Sequence, residues 1–216
     1  MNLDLELSCM PLGDMQTNCY ILMDKSMGEA VVFDPGEEAY RVIDYLKENN
    51  LTLTAIVLTH GHFDHILAVD DLLKEYPEIP VYAGRKEEPV FKTPSYNLCS
   101  MVGGHFDFMP TDYVDDGDII YLCNAAVKCL HTPGHTCGGM SYFIEDKWWL
   151  ICGDTLFQSS IGRTDFPTGS YKVIANSIKN KIYTLPDWVK VFPGHGPMTS
   201  VEVEKRSNMF VRADED

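Results

Sequence analysis

The chain has no C-x-x-C pair, and its seven cysteines are an odd number. A zinc-finger reading is therefore without support, and a disulfide scaffold is disfavoured. Cys19, Cys123, Cys129 and Cys152 lie in or beside apolar, strand-like runs and read as buried reduced thiols in a reducing compartment. No stretch approaches the roughly 20 apolar residues of a membrane span, so no membrane partner is expected. The start, MNLDLELSCM, lacks a basic n-region and a long apolar h-region. No secretory signal is expected, and the expected compartment is the cytoplasm. Positive charge is scarce: Lys plus Arg is 17 against 32 for Asp plus Glu, a net charge of -15. Such a surface does not seek phosphate backbones, which weighs against a nucleic-acid partner and favours a small-molecule substrate. Part of the acidity is solvated surface, clearest in the tail RADED, and bound divalent cations would offset another part. No repeat, low-complexity segment or polar linker divides the 216 residues, so one domain spanning 1–216 is expected.

Hydropathy alternates along the chain in two periods. Residues 2–8 alternate Leu with polar residues and read as a half-buried strand. NCYILMDK and EAVVFDPG read as a hairpin joined through Ser26–Gly28. Residues 37–49 carry Val42, Ile43 and Leu46 at helical spacing, and LTAIVLT is a buried strand. DHILAVDDLLKEY reads as one helix with Ile66, Val69, Leu72 and Leu73 on one face, followed by the short strand PVYAG. Residues 85–116 predict a short helix and a long loop. Strands follow near 118–123, 126–131, 140–145 and 148–152, then a helix over 171–184, a strand at WVKVFPG and a helix over 200–212. Strands alternating with helices in both halves predict an α/β layered domain.

The chemistry concentrates in LTHGHFDHILAV, where three of the seven histidines and an aspartate fall within six residues. A buried strand delivers its end to a loop, and Asp64 and His65 open the next helix. His60 and His62 are two apart in an extended stretch, so their side chains can face the same way. Imidazole and carboxylate suit zinc, and also iron or manganese. Four ligand-type residues so close together are too many for one small closed site and fit two adjacent open ones. His135, Asp154 and His195 each follow an apolar strand and sit beside a glycine. They supply the missing partners, so that seven ligands divide between two divalent ions with one carboxylate shared.

The ordered set THGHFDH, HTPGHT, GDTLF and PGHG, with FDPG before it, resembles the metallo-β-lactamase superfamily over essentially the whole chain. That resemblance implies an αββα sandwich of two mixed β-sheets flanked by helices, with the metals at one edge. It implies one ion on His60, His62 and His135, a second on Asp64, His65 and His195, and Asp154 bridging them. Zinc is the expected ion. Asp34 looks like the family's aspartate behind the ligands, supporting those near His60 and His62; the competing reading is a turn residue before Pro35. In the implied hydrolysis, a water shared by ions about 3.5–4 Å apart attacks a carbonyl, with Asp64 orienting it or accepting its proton.

Asp154 argues against true β-lactamases, which usually place Cys or Ser there, and His62 argues against flavodiiron proteins, which place Glu. GDTLFQSSIGRTDFPTGS, 153–170, is similar to the short glyoxalase II-like hydrolases, so the implied substrate is a glutathione-type or other small thioester. A related stretch in the mono-iron persulfide dioxygenases keeps that activity as an alternative, and a lactonase is another. Arg163 and Asp165 are either substrate contacts or an internal ion pair shaping their loop. Cys137 reads as an inert thiol, His105 as a surface residue and His131 as structural. The chain ends about where a glyoxalase II chain begins its extra C-terminal helical domain, so that domain is expected to be absent. Residues 85–116, with Arg85, Lys86, Lys92 and Tyr96, are a candidate for part of a substrate wall.

Overall fold

The computed structural model describes residues 4–213. The chain forms a four-layer sandwich of helices, two mixed sheets and helices. The first sheet runs in chain order: β1 (Leu5–Leu12), β2 (Thr17–Asp24), β3 (Glu29–Phe33), β4 (Thr52–Val57), β5 (Val81–Gly84) and β6 (Asp112–Val114). Its first three strands are antiparallel and its last four parallel. The second half supplies β7 (Ile119–Leu122), β8 (Ala125–His131), β9 (Met140–Ile144), β10 (Trp149–Gly153), a small hairpin β11 (Leu156–Phe157) and β12 (Ser160–Ile161), then β13 (Lys190–Pro193) and β14 (Thr199–Ser200). The second sheet has the order β14-β13-β10-β9-β8-β7, and only β10 and β13 pair in parallel.

The layers follow from side-chain alternation. In β2 and β3 every other residue turns to each face. Ile21, Met23, Ala30 and Val32 join the core under α1 (Ala39–Glu48), with Val42 and Leu46. Tyr20, Leu22, Val31 and Phe33 join the core between the sheets, facing Val127, Cys129, Tyr142 and Ile144 of β8 and β9. Phe143, Leu150 and Val191 on the outer face of the second sheet pack against the C-terminal helical layer. All seven cysteines are free thiols, and Cys19, Cys123, Cys129 and Cys152 are buried. Among the described residues no helix is long and apolar enough to cross a membrane.

Several elements differ from the sequence expectation. Residues 2 and 3 of the first strand and the last three of the acidic tail lie outside the described residues; β1 itself runs on to Leu12. The helix expected from Asp64 to Tyr76 is two helices, α2 (Phe63–Ile66) and α3 (Val69–Glu75). The FDPG loop breaks it: Ala68 N–H donates to Pro35 O, and Gly36 packs against the Asp64 carbonyl so closely that a Cβ there would sit 1.8 Å from it. Within 85–116 lie a 3-10 turn (Arg85–Glu87), α4 (Glu88–Lys92), α5 (Cys99–Val102) and β6, more structure than expected. The helix over 171–184 is α6 (Tyr171–Ser177) running into a π-helical turn, Ile178–Ile182. The last helix, α7 (Val201–Ser207), stops five residues short of 212 because Asn208 Oδ1 accepts from the backbone N–H groups of Phe210 and Val211 and turns the chain.

Candidate metal centre

The loops that follow β3, β4, β8, β10 and β13 converge at one edge of the two sheets. Asp34 follows β3, His60 and His62 follow β4, and Asp64 and His65 lie on α2. His135 follows β8, Asp154 follows β10 and His195 follows β13. Backbone bonds join these loops across the sheets. Met140 N–H donates to Thr59 O, Gly194 N–H to Gly153 O and Asn18 N–H to Gly194 O. Asn18 Nδ2 also donates to Pro193 O and Gly196 O, and Tyr20 Oη to Pro193 O, so the start of β2 holds the His195 loop.

All seven ligand-type residues singled out in the sequence are brought together. One atom each from His60, His62 and His135 lie within 4.8 Å of one another, and so do atoms of Asp64, His65 and His195; each set could hold a metal ion. Asp154 lies between the sets: its Oδ1 is 3.5 Å from His65 Nε2, and its Oδ2 is 3.6 Å from both His135 Nε2 and His195 Nε2. His62 Nε2, His65 Nε2, His135 Nε2 and Asp154 Oδ1 are buried without a hydrogen-bond partner. Buried polar atoms are normally satisfied. Orphaned imidazole nitrogens and a carboxylate oxygen crowded in one place are the donor set of a divalent cation.

The charge pattern divides the histidines. Burial, reinforced by neighbouring histidines, holds His60 well below the usual imidazole range and His62 down to about 3. Burial likewise lowers His135, against the pull of Asp154. Burial also opposes charge on His65, yet Asp64, Asp154 and Asp34 together raise it well above the ordinary value. His195 is raised by its hydrogen bond with Asp64 despite burial. The two carboxylates respond in kind. Burial alone would raise Asp64 and Asp154, but His65 and its neighbours hold both below the usual range, Asp154 at about 2.

Asp34 stands behind the cluster, and its contacts correct one expectation. Its direct ring contact is His65, Oδ2 lying 2.9 Å from His65 Nδ1, and it reaches His60 only through Thr59, whose Oγ1 is 3.1 Å from His60 Nδ1. Thr59 donates to both oxygens, N–H to Oδ1 at 2.7 Å and Oγ1 to Oδ2 at 2.6 Å. Asp34, His60 and His65 also come close enough to hold an ion, but the Asp34 oxygens are already engaged, so that set is a support for His65. His135 Nδ1 lies 2.7 Å from Arg163 O and donates to it, which leaves Nε2 to face Asp154.

Arg163 and Asp165 form the expected internal ion pair, through Nε–Oδ1 at 3.0 Å and a guanidinium nitrogen to Oδ2 at 2.8 Å. The guanidinium also stacks on Phe166, 4.1 Å from its centroid. Cys137 is no neighbour of the ligand set; its thiol donates to Lys86 O. His131 Nε2 donates to Cys137 O, and His105 pairs with Asp107 at the surface. The charged residues singled out in 85–116 are not the wall of the site. Arg85 pairs with Asp115 and Lys92 with Glu88, both exposed, and the wall comes from Leu98, Met101 and Val102.

Two supporting residues escaped the sequence reading. Thr17 Oγ1 donates to Asp64 Oδ2 at 2.9 Å. Glu87 is fully buried, and its two oxygens accept from Gly61 N–H at 2.9 Å and Gly138 N–H at 2.7 Å. It thereby ties the His60–His62 loop to the His135 loop. Its signal was helical spacing: Glu87 shares a face with the buried Val90 and Phe91. Thr17, the first residue of a buried strand, carries no comparable signal.

A model of the metallo-beta-lactamase superfamily matches residues 12–195. The chain is 39% identical over 204 residues to the probable metallo-hydrolase YqgX of Bacillus subtilis, covering 94% of this chain and 95% of that one. It is 34% identical to the hydroxyacylglutathione hydrolase GloC of Haemophilus influenzae, covering 97% and 99%. Among solved structures, the BLEG-1 B3 metallo-beta-lactamase superposes with a TM-score of 0.90 at 39% identity, covering 95% of this chain and 99% of that one. TTHA1623 in a di-iron-bound form superposes with a TM-score of 0.83 at 31% identity, covering 94% and 100%. The activities named for these proteins differ, whereas the fold is shared with the two solved structures. The chain belongs to the metallo-beta-lactamase superfamily.

Proposed function

We propose that the chain is a dinuclear metal-dependent hydrolase of small thioesters. His60, His62 and His135 would hold one ion, Asp64, His65 and His195 the other, with Asp154 shared between them. The carrying observation is the set of four orphaned buried atoms on His62, His65, His135 and Asp154. Zinc suits this donor set, and iron and manganese do also. Bound ions supply Lewis acidity and lower the pKa of a coordinated water toward neutrality.

The chain's own groups do the positioning. Asp34 and the Arg163 carbonyl fix the rings of His65 and His135. Thr17, the first residue of β2, holds Asp64 Oδ2 at 2.9 Å. Asp64 borders the cavity and is held ionised, so it can accept a hydrogen bond from a water and orient it. Asp64 and Asp154, both kept as carboxylates, do not serve as strong acids. A thiolate, with a pKa of about 8.5, leaves without one, which favours a thioester over an amide. The similarity to GloC supports the same choice.

The test is hydrolysis of a thioester series by the metal-loaded protein, followed by thiol release. Turnover that falls with His62→Ala and Asp154→Ala supports the reading. Oxygen uptake with glutathione persulfide, on one iron per chain and without thiol release from thioesters, contradicts it.

A further inference from the structure

The ligand cluster opens into a cavity of about 400 Å³, at the small end of the roughly 300–1,000 Å³ usual for ligand sites. Its walls are apolar. Met15, Leu98, Met101, Val102, Phe157 and Phe166 line it from three separate parts of the chain. Met15, Met101 and Val102 are 54%, 70% and 52% exposed, a concentration of apolar surface at the mouth of a site. Arg163 is the one lysine or arginine among the lining residues, and its guanidinium is already forked onto Asp165 and stacked on Phe166.

The α5 wall is a built element. Leu98 enters it with a left-handed backbone, φ 65°, a conformation that a branched side chain adopts only when its surroundings impose it. Those surroundings are the buried Asn97, whose side chain donates to Val90 O and Phe91 O and accepts from Cys99 N–H. The Asn97 carbonyl in turn accepts from Phe63 N–H at the start of α2. The apolar wall is thus tied to the helix that carries Asp64 and His65.

We infer that this cavity takes the acyl half of the substrate, and that this half is an apolar chain. The inference rests on the thioester reading above. A thioester presents two halves to the cluster, and the cavity encloses one. A glutathione half carries two carboxylates, and the one lysine or arginine among the lining residues, Arg163, is already forked onto Asp165. An apolar acyl chain matches Leu98, Met101, Val102 and the two phenylalanines, and leaves a polar thiol half to solvent.

The experiment has two arms. The first measures kcat/KM of the metal-loaded protein on acetyl, butanoyl and hexanoyl thioesters of N-acetylcysteamine, and on lactoylglutathione. The expected result is a rise of about fourfold for each methylene buried, with the hexanoyl thioester preferred over lactoylglutathione. The double variant Met101→Ser/Val102→Ser, at exposed positions, should flatten that rise. The second arm measures calorimetric binding of butanoate, hexanoate and glutathione to the same two proteins. Hexanoate should bind tightest, and the double variant should erase its advantage over butanoate. Hydrolysis of every thioester with no dependence on chain length, or a preference for lactoylglutathione, overturns the inference. Absence of all thioester hydrolysis, with the carboxylate trend intact, overturns the thioester reading and leaves the apolar cavity standing. A flat carboxylate trend overturns the cavity assignment itself.

Discussion

Asp34 Oδ2 lies 2.9 Å from His65 Nδ1, and both side chains are buried. One carboxylate thereby aligns the ring of His65 and, through Thr59, the start of the loop that carries His60. Asp34→Ala removes that partner and leaves the Thr59 N–H unsatisfied. Metal affinity at the Asp64, His65 and His195 set should fall about 10–100-fold. Competition with a chromogenic chelator measures it. Unchanged affinity would reduce Asp34 to a residue that closes a turn.

Glu87 predicts a stability effect with an unusual sign. Burial pushes its carboxyl up from about 4.5 to about 7, against the N–H groups of Gly61 and Gly138. Between those values the folded chain binds more protons than the unfolded one, so this group's contribution to stability falls as pH rises from about 4.5 through 7, by an amount on the order of 3 kcal/mol. Glu87→Gln does not titrate and should flatten the profile in that window. It should also cost about 1–3 kcal/mol, because an amide NH2 must face a backbone N–H. Urea unfolding of wild type and variant across that pH range checks both.

Acid should strip the two ions in order. His60, His62 and His135 are lowered, so they stay neutral and available as ligands into the acid range. His65 and His195 are raised, so protons compete for them first. Stepwise dialysis from roughly pH 7.5 to roughly pH 5.5 should release the ion at Asp64, His65 and His195 before the other. Metal content at each step reads the order. Simultaneous loss, or an order reversed in site-directed variants, would contradict the split.

Gly194 predicts a steric effect inside the cluster. A Cβ there would fall 2.2 Å from Asp154 Oδ1 and 2.7 Å from His65 Cε1. Gly194→Ala should displace the shared carboxylate and lower metal content and turnover together, while far-UV circular dichroism stays that of the wild type. Full metal content in the variant would show that the backbone here has room to yield.

The ligand cluster was readable because its spacing is local. His60, His62, Asp64 and His65 follow a buried strand within six positions, and His135, Asp154 and His195 each end an apolar run. The layers were readable for the same reason: β2 and β3 are apolar on both faces, as strands between a sheet and a helix layer must be. What was hidden depends on contacts between distant segments. The break between α2 and α3 comes from Pro35 and Gly36, some 30 residues earlier in the chain. The partner of Asp34 is decided by where α2 sits, which no local pattern records. The apolar wall at Leu98–Val102 lay in the stretch with the weakest periodicity, where charged residues drew attention to themselves and proved to be paired at the surface.

The central claim is two ions held by seven side chains with Asp154 shared, and metal per chain tests it most directly. Protein purified without added metal should carry close to two divalent ions per chain by inductively coupled plasma mass spectrometry, and Asp154→Ala should lose at least one of them. A wild-type protein that saturates at one ion, or an Asp154→Ala variant that keeps both, would contradict it.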